Sequence, residues 1–414
     1  MSVKILLNNT LWSTINHLLS RGVLMLSGIL LAKYFLPKEF AIYSYYQMTV
    51  VMISSYAALG LGVAASKFFA EFSINKNDKN IKNHISTLSG ISVIMSLIVS
   101  FVIILLPNRL LDGGLDIPIY IFSISILLLG LNVIPNGAIL GLEKYKEAAI
   151  ISLINGFFCL AGVYLSIKYY NIYYSIYFFM IANFVQLIGL NFIINKNISD
   201  FNILERFLIK KKSIKDIFNF LGPLVLVSLL TAFSGWIIGR SLLEKYGEYI
   251  FSVYSIGLQW FALALFLPGM ISRVVLPRLI RSNSNNTDSR RFLKISCIIA
   301  LFFSLSILLF VYLFLETIIN FYGEQYKEYK NIIILFLLIA VLYAPTNTLG
   351  NAIVAKLGSF SWFIITLIWF IILLMVFFIN LREYGIMAVI YSQGASTIIL
   401  LLSSYILCKK KGLL

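Results

Sequence analysis

Arg21 stands in the middle of an apolar stretch of about 25 residues, Leu11 to Phe35, where an ionised side chain has a cost to meet. An arginine at the centre of a membrane helix costs about 2.5 to 3.5 kcal/mol on insertion scales, so it must face protein or water and find an anionic or carbonyl partner. Thr10, Ser13, Thr14, His17 and Arg21 recur at three- and four-residue spacing, which places them on one face of a helix. Such a stripe either lines a hydrophilic cavity or forms a hydrogen-bonded seam between helices, because Ser and Thr join membrane helices. His17 taken alone reads first as a packing histidine. Arg273 and Arg278 close a later apolar stretch around Pro277, and Lys67 occupies the corresponding place in the second stretch. They are either anchors at the positively charged membrane face or a cationic entry rim. The planar guanidinium fork binds phosphate oxygens two at a time, so Arg21 and Arg273 point first to phosphate recognition.

The elements that must position these groups are membrane helices. Hydrophobic residues make up 60% of the 414 and charged residues 12%, against ~25% charge in an ordinary globular chain; mean hydropathy is +0.92. A spanning helix takes ~20 apolar residues. Stretches of that length run near Leu11–Phe35, Phe40–Phe69, Ile85–Leu106, Pro118–Leu142, Ala148–Ile167 and Ile172–Ile194. Six more follow near Ile217–Ile238, Tyr249–Ile271, Phe292–Leu315, Ile332–Val354, Phe360–Ile379 and Gly385–Leu407. The expected fold is an all-α polytopic membrane protein of about twelve helices, with no soluble domain. The first stretch lacks the short apolar core and small-residue cleavage site of a signal peptide and is expected to remain as helix 1.

Charge orients this bundle. With the N-terminus inside, inner connectors carry 23 of the 33 basic residues and outer ones nine. That asymmetry puts both termini in the cytoplasm. Acidic residues divide 8 and 9 between the faces. The formal net charge of +16 is therefore mostly topology, and nucleic-acid binding is excluded as its explanation. Cys159, Cys297 and Cys408 lie in or at the ends of apolar stretches, and with His17 and His84 they give neither a disulfide framework nor zinc spacing. No metal or cofactor is expected.

The chain reads as duplicated. Ile42-Tyr-Ser-Tyr-Tyr46 matches Ile250-Phe-Ser-Val-Tyr254; Pro135 with Leu140-Gly141 matches Pro345 with Leu349-Gly350; Met180 and Gln186 match Met387 and Gln393. The three pairs occur in order at nearly one offset. Six helices per half insert the same way up, which makes a parallel repeat around a central cavity. The expected domains are an N-terminal six-helix bundle at 1–195, a basic cytoplasmic linker at 196–216 and a C-terminal bundle at 217–414. Lys210-Lys211-Lys212 in the linker reads as an orientation-fixing cluster or a lipid-headgroup contact.

Neutral polar groups complete the candidate site. Pro135 and Pro345 fall inside helices and each removes a backbone hydrogen bond. Asn132, Asn136, Thr346, Asn347 and Asn351 cluster beside them, either satisfying freed carbonyls or meeting sugar hydroxyls. Gln47 and Gln259 belong to the two helices expected to face a central cleft. The Gly137-x-x-x-Gly141 spacing reads as close helix packing. No Asp or Glu falls in the central part of any stretch, which argues against a proton-driven exporter of cations.

Several of these residues carry a resemblance. Leu19-Ser20-Arg21-Gly22, the turn Leu36-Pro37-Lys38-Glu39-Phe40-Ala41-Ile42-Tyr43-Ser44, Leu59-Gly60-Leu61-Gly62, Ala65-Ser66-Lys67-Phe68-Phe69 and Val275-Leu276-Pro277-Arg278 resemble the polysaccharide transporter family. These are the O-antigen and capsule repeat-unit flippases of the multidrug/oligosaccharidyl-lipid/polysaccharide exporter superfamily. Ala41 departs from the glycine common at that turn. The resemblance implies a multi-pass protein of the bacterial inner membrane, not an enzyme. It would translocate an undecaprenyl-diphosphate-linked oligosaccharide by alternating access, among membrane lipids, with a polymerase of the same pathway as a candidate partner. Drug or metabolite export within the superfamily and membrane-embedded polymerisation are the alternatives; the latter usually needs a sizeable outer loop, and the longest here is about Glu316 to Asn331. Substrate contacts expected on this reading are Arg21, Arg273, Lys67, Arg278, His17, Gln47, Gln259, Asn136 and Asn347. Arg21→Gln, which keeps bulk and removes charge, is expected to abolish complementation of a deletion strain at unchanged protein abundance; full retained activity would take Arg21 out of the site.

Overall fold

The computed structural model describes residues 3–58, 60–75, 78–107, 111–197, 209–270 and 287–413; inside its helices the side chains of residues 3–11, 13, 14, 17, 21, 211, 212, 215, 216, 218–221 and 287–289 are not described. Among the described residues the protein is helical, with no strand. Without water in the hydrocarbon core, backbone groups must be satisfied within each segment, and the helix achieves this alone.

The first half contains α1 (Val3–Tyr34), α2 (Pro37–Ala58), α3 (Leu61–Ile74), α4 (Lys79–Leu105), α5 (Ile119–Gly141), α6 (Tyr145–Tyr169) and α7 (Tyr173–Asn197). The second contains α8 (Lys211–Ala264), α9 (Thr287–Leu313), α10 (Leu315–Tyr322), a 3-10 turn (Glu324–Tyr329), α11 (Lys330–Leu357), α12 (Ser359–Tyr384) and α13 (Met387–Lys410). Two compact units result, Met1–Val225 and Leu226–Leu414. The unit boundary falls inside α8.

Three details differ from the sequence expectation. The single helix drawn over Phe40–Phe69 is two helices bent by 52°, because Gly60 adopts φ 66°, a left-handed conformation that costs glycine little. α8 runs on past Ile238 to Gly247, whose φ of 80° and ψ of −177° reverse the chain. The Tyr254 hydroxyl then donates to the Gly235 carbonyl across that reversal at 3.2 Å, so α8 supplies two spans. The connector near Glu316 to Asn331, drawn without elements of its own, holds a short helix and a 3-10 turn. Ile318, Ile319, Tyr322 and Tyr326 are all buried there, Lys330 pairs with Glu316, and the Tyr249 and Tyr326 rings stack at 6.0 Å.

Nine helices among the described residues are long and apolar enough to cross a membrane, and the bent α2–α3 pair makes a tenth.

In the first unit α5 is the hub, packed against α2, α3, α4 and α7, while α6 joins α1 to α7. Small residues allow this approach. A methyl on Gly130 would meet Ser96 Oγ, one on Gly137 the Gly62 carbonyl oxygen, and one on Gly141 the Ser66 carbonyl oxygen. Ser100 and Ser123 tie α4 to α5 reciprocally, each hydroxyl donating to the other's carbonyl at 3.0 Å. In the second unit α11 is the corresponding hub against α9, α12 and α13. There the Trp362 indole lies against Gly350.

Gly137→Ala is expected to destabilise the protein by about 1–3 kcal/mol, since the obstacle is backbone and cannot rotate away. Gly394→Ala, which meets nothing within 4 Å, should hold or raise the melting temperature in the same detergent.

Candidate functional site

The polar groups of the first unit converge on three helices. On α5, Asn132 and Asn136 are one turn apart; on α7, Asn183 and Gln186; on α6, Ser152, Asn155 and Cys159. Each set uses the three- and four-residue spacing that aligns side chains along a helix face. Asn136 Nδ2 donates to the Asn132 carbonyl at 2.8 Å and its Oδ1 accepts from Gln186 Nε2 at 3.2 Å. Gln186 Oε1 accepts from Asn155 Nδ2 at 3.0 Å, and Cys159 Sγ donates to Asn155 Oδ1 at 3.7 Å. The result is an amide chain running from α5 through α7 to α6.

Two further bonds fix its frame. Asn132 Nδ2 donates to the Asn183 carbonyl at 2.9 Å, holding α5 to α7. Ser152 Oγ donates to Asn16 Oδ1 at 2.5 Å, holding α6 to α1. Asn132 Oδ1 is buried and unpartnered, so the network retains an unused acceptor. Asn136 at its end is exposed and Gln186 and Asn155 are half-buried. An exposed amide within a membrane helix is costly against lipid, so this end faces water or a polar molecule. Amides that both donate and accept suit hydroxyl-rich ligands.

The structure places the remaining candidates separately. Gln47 Nε2 donates to the Tyr43 hydroxyl on its own helix at 2.7 Å. Lys67 is exposed, its Nζ 5.3 Å from the Phe68 ring centroid. In the second unit Gln259 Oε1 accepts from the Tyr322 hydroxyl at 3.2 Å, so the folded connector occupies it. Asn347 is half-buried beside Pro345. The side chains of His17 and Arg21, with those of Thr10, Ser13 and Thr14, and the whole of Arg273 and Arg278 lie outside the described residues. Beside Pro135, the asparagine amides bond the Leu128 and Asn132 carbonyls. The carbonyl freed by Pro135 belongs to Leu131, so neither of these bonds satisfies it.

Sequence reasoning missed Asn16, Ser152, Asn155 and Asn183, and used Gln186 only as a repeat marker. The available signal was an uncharged amide in mid-helix, which alone does not separate a site from ordinary helix glue.

A cleft of about 280 Å³ opens between α3, α4, α5 and α7, lined by Phe69, Ser89, Ser92, Pro135, Leu187 and Asn191 among others. Two of its polar groups are spent on backbone, Ser92 Oγ on the Gly130 carbonyl at 3.2 Å and Asn191 Nδ2 on the Leu187 carbonyl at 2.8 Å. The cleft offers no charge for a phosphate. Every described carboxylate side chain lies in a connector or within about a turn of a helix end or of the Gly247 reversal, and no group of three metal-ligating side chains occurs among the described residues.

The fold is that of the MOP superfamily transporters. An inward-facing multidrug resistance MATE family transporter superposes with a TM-score of 0.73 at 15% identity, covering 95% of each chain. A MOP superfamily transporter from Pyrococcus furiosus, described as having a binding pocket of reversed polarity, gives 0.72 at 13% identity over 97% of this chain and 96% of its own. A variant of the MATE transporter VcmN from Vibrio cholerae gives 0.70 at 16% over 98% and 96%. No curated protein sequence matches. The family model described as polysaccharide biosynthesis protein matches residues 6–282, and the chain belongs to that family. Its long apolar helices make it a multi-pass membrane protein.

Gln186→Leu is expected to lower the melting temperature in detergent, since it strips Asn136 and Asn155 of their shared partner at ~0.5–1.5 kcal/mol for each hydrogen bond lost. Asn191→Leu, whose amide bonds only its own helix, should stay near the wild-type value.

Proposed function

We propose that this transporter is a flippase. It moves undecaprenyl-diphosphate-linked oligosaccharide repeat units from the inner to the outer leaflet of the bacterial inner membrane by alternating access, with both termini cytoplasmic. The observation that carries this reading is the polarity of the described spans: interior carboxylates are absent, while linked amides end at an exposed asparagine. A carboxylate-free interior suits a dianionic diphosphate, and amides suit sugar hydroxyls. Arg21 and Arg273 are the proposed diphosphate contacts, because the guanidinium fork matches phosphate oxygens. Lys67 and Arg278 would form the cationic entry rim. Asn136, Gln186 and Asn155 are the proposed sugar contacts in the first unit. Gln47, Gln259, Asn347 and His17 complete the proposed polar lining, Gln259 only once Tyr322 releases it. The lipid tail remains in the bilayer throughout.

The fold likeness to multidrug transporters favours a second reading, export of a drug or metabolite. Its weakness is chemical, since cation export normally uses intramembrane acids.

Deleting the gene in its host and extracting undecaprenyl-linked intermediates separates the two. A flippase predicts completed single repeat units trapped on the cytoplasmic leaflet and no polymer outside. Single units displayed on the periplasmic side, or an unchanged polymer, would overturn the proposal.

A further inference from the structure

The second unit ends in a basic corner where the C-terminus of α13 meets the start of α9. Three backbone bonds close α13: Lys411 N–H to the Leu407 carbonyl at 3.1 Å, Gly412 N–H to Lys409 at 3.0 Å and Leu413 N–H to Cys408 at 2.8 Å. Gly412 makes the turn with φ 67°, and Leu413 is tucked in at 8% exposure. The last carbonyls of α13 are therefore already in use.

Arg290 packs against this turn. Its Nη2 lies 3.3 Å from the position a Cβ on Gly412 would take. Its Nε is buried and has no hydrogen-bond partner. α13 itself contains no acidic residue. Around Arg290 stand Arg291, Lys294, Lys409, Lys410 and Lys411, all exposed. A guanidinium with a buried, unused donor amid five further cations lacks a counter-charge within the described chain.

The apolar surface beside the corner indicates where the counter-charge comes from. α9 exposes Ile295, Ile298 and Phe302 directly after its basic turn, and α13 exposes Leu402, Tyr405 and Ile406 directly before its own. Basic head and apolar flank adjoin along the same two helices. We propose that this corner binds an anionic phospholipid of the surrounding leaflet, with Arg290 on the phosphodiester, the lysines around the headgroup and the acyl chains along α9 and α13. The site belongs to a resident lipid and is independent of the cargo.

Full-length protein in a neutral detergent, titrated with phosphatidylglycerol, phosphatidylcholine or inorganic phosphate, tests this through melting temperature and lipid retention in native mass spectrometry. Phosphatidylglycerol should raise the melting temperature and remain bound, with the other two having little effect. Arg290→Gln should weaken retention about tenfold, because it removes the cation at the centre of the basic corner; Lys327→Gln should not. If Arg290→Gln fails to fold, the combined Lys409→Gln, Lys410→Gln and Lys411→Gln, all at exposed positions, should reproduce the loss. Equal stabilisation by inorganic phosphate or phosphatidylcholine, or wild-type retention in both variants, would overturn the proposal.

Discussion

In a hydrocarbon core no water is present to take up a stray hydrogen bond, and the rest of this structure follows from that constraint. It dictates helices, and it also dictates what their polar side chains do. Ser54, Ser125, Ser304 and Ser404 each donate to a carbonyl one turn back, as Asn183 and Asn380 do through their amides. Most polar residues of the spans are thus neutralised by their own helix. Those bonded to another helix stand out, and among the described residues the amide chain of α5, α6 and α7 links three helices in this way.

The same scarcity of partners makes close packing the means of holding helices together. Without a hydrophobic driving force between helices in lipid, association rests on van der Waals contact and a few interhelical hydrogen bonds. α5 meets both demands. Its glycines admit α3 and α4 against its backbone, and its asparagines reach α7. Pro135 sits between these two features, in the stretch of α5 where packing and polar chemistry overlap.

Much of the fold was legible from run length alone, since an apolar segment of spanning length has few alternatives. The breaks were less legible. Gly60 and Gly247 look like many other glycines in this chain until their backbone angles are known, so the bend after α2 was missed and the reversal within α8 was placed only approximately. The connector after α9 was legible as a connector but not in its internal structure, because Glu316, Glu324, Lys327 and Lys330 stand between Ile318, Ile319, Tyr322 and Tyr326, which are buried. For the site, Asn136 was identifiable beside Pro135. Its partner Gln186 was not, because pairing between distant helices leaves no trace in local spacing. Gln259 was chosen for polarity alone, and sequence gave no hint of its bond from Tyr322.

The placement of the described carboxylates near helix ends and in connectors has an electrical consequence. Charge moved across a membrane potential is worth about 2.3 kcal/mol per unit per 100 mV. A transporter with acids in its spans shuttles some of that charge on its own side chains as it changes shape. The neutral amides of this chain's first unit are electrically silent in the same movement. If the chain carries a cargo as proposed, voltage acts on whatever charge that cargo brings, and the net charge of the cargo helps to set the direction in which the field does work.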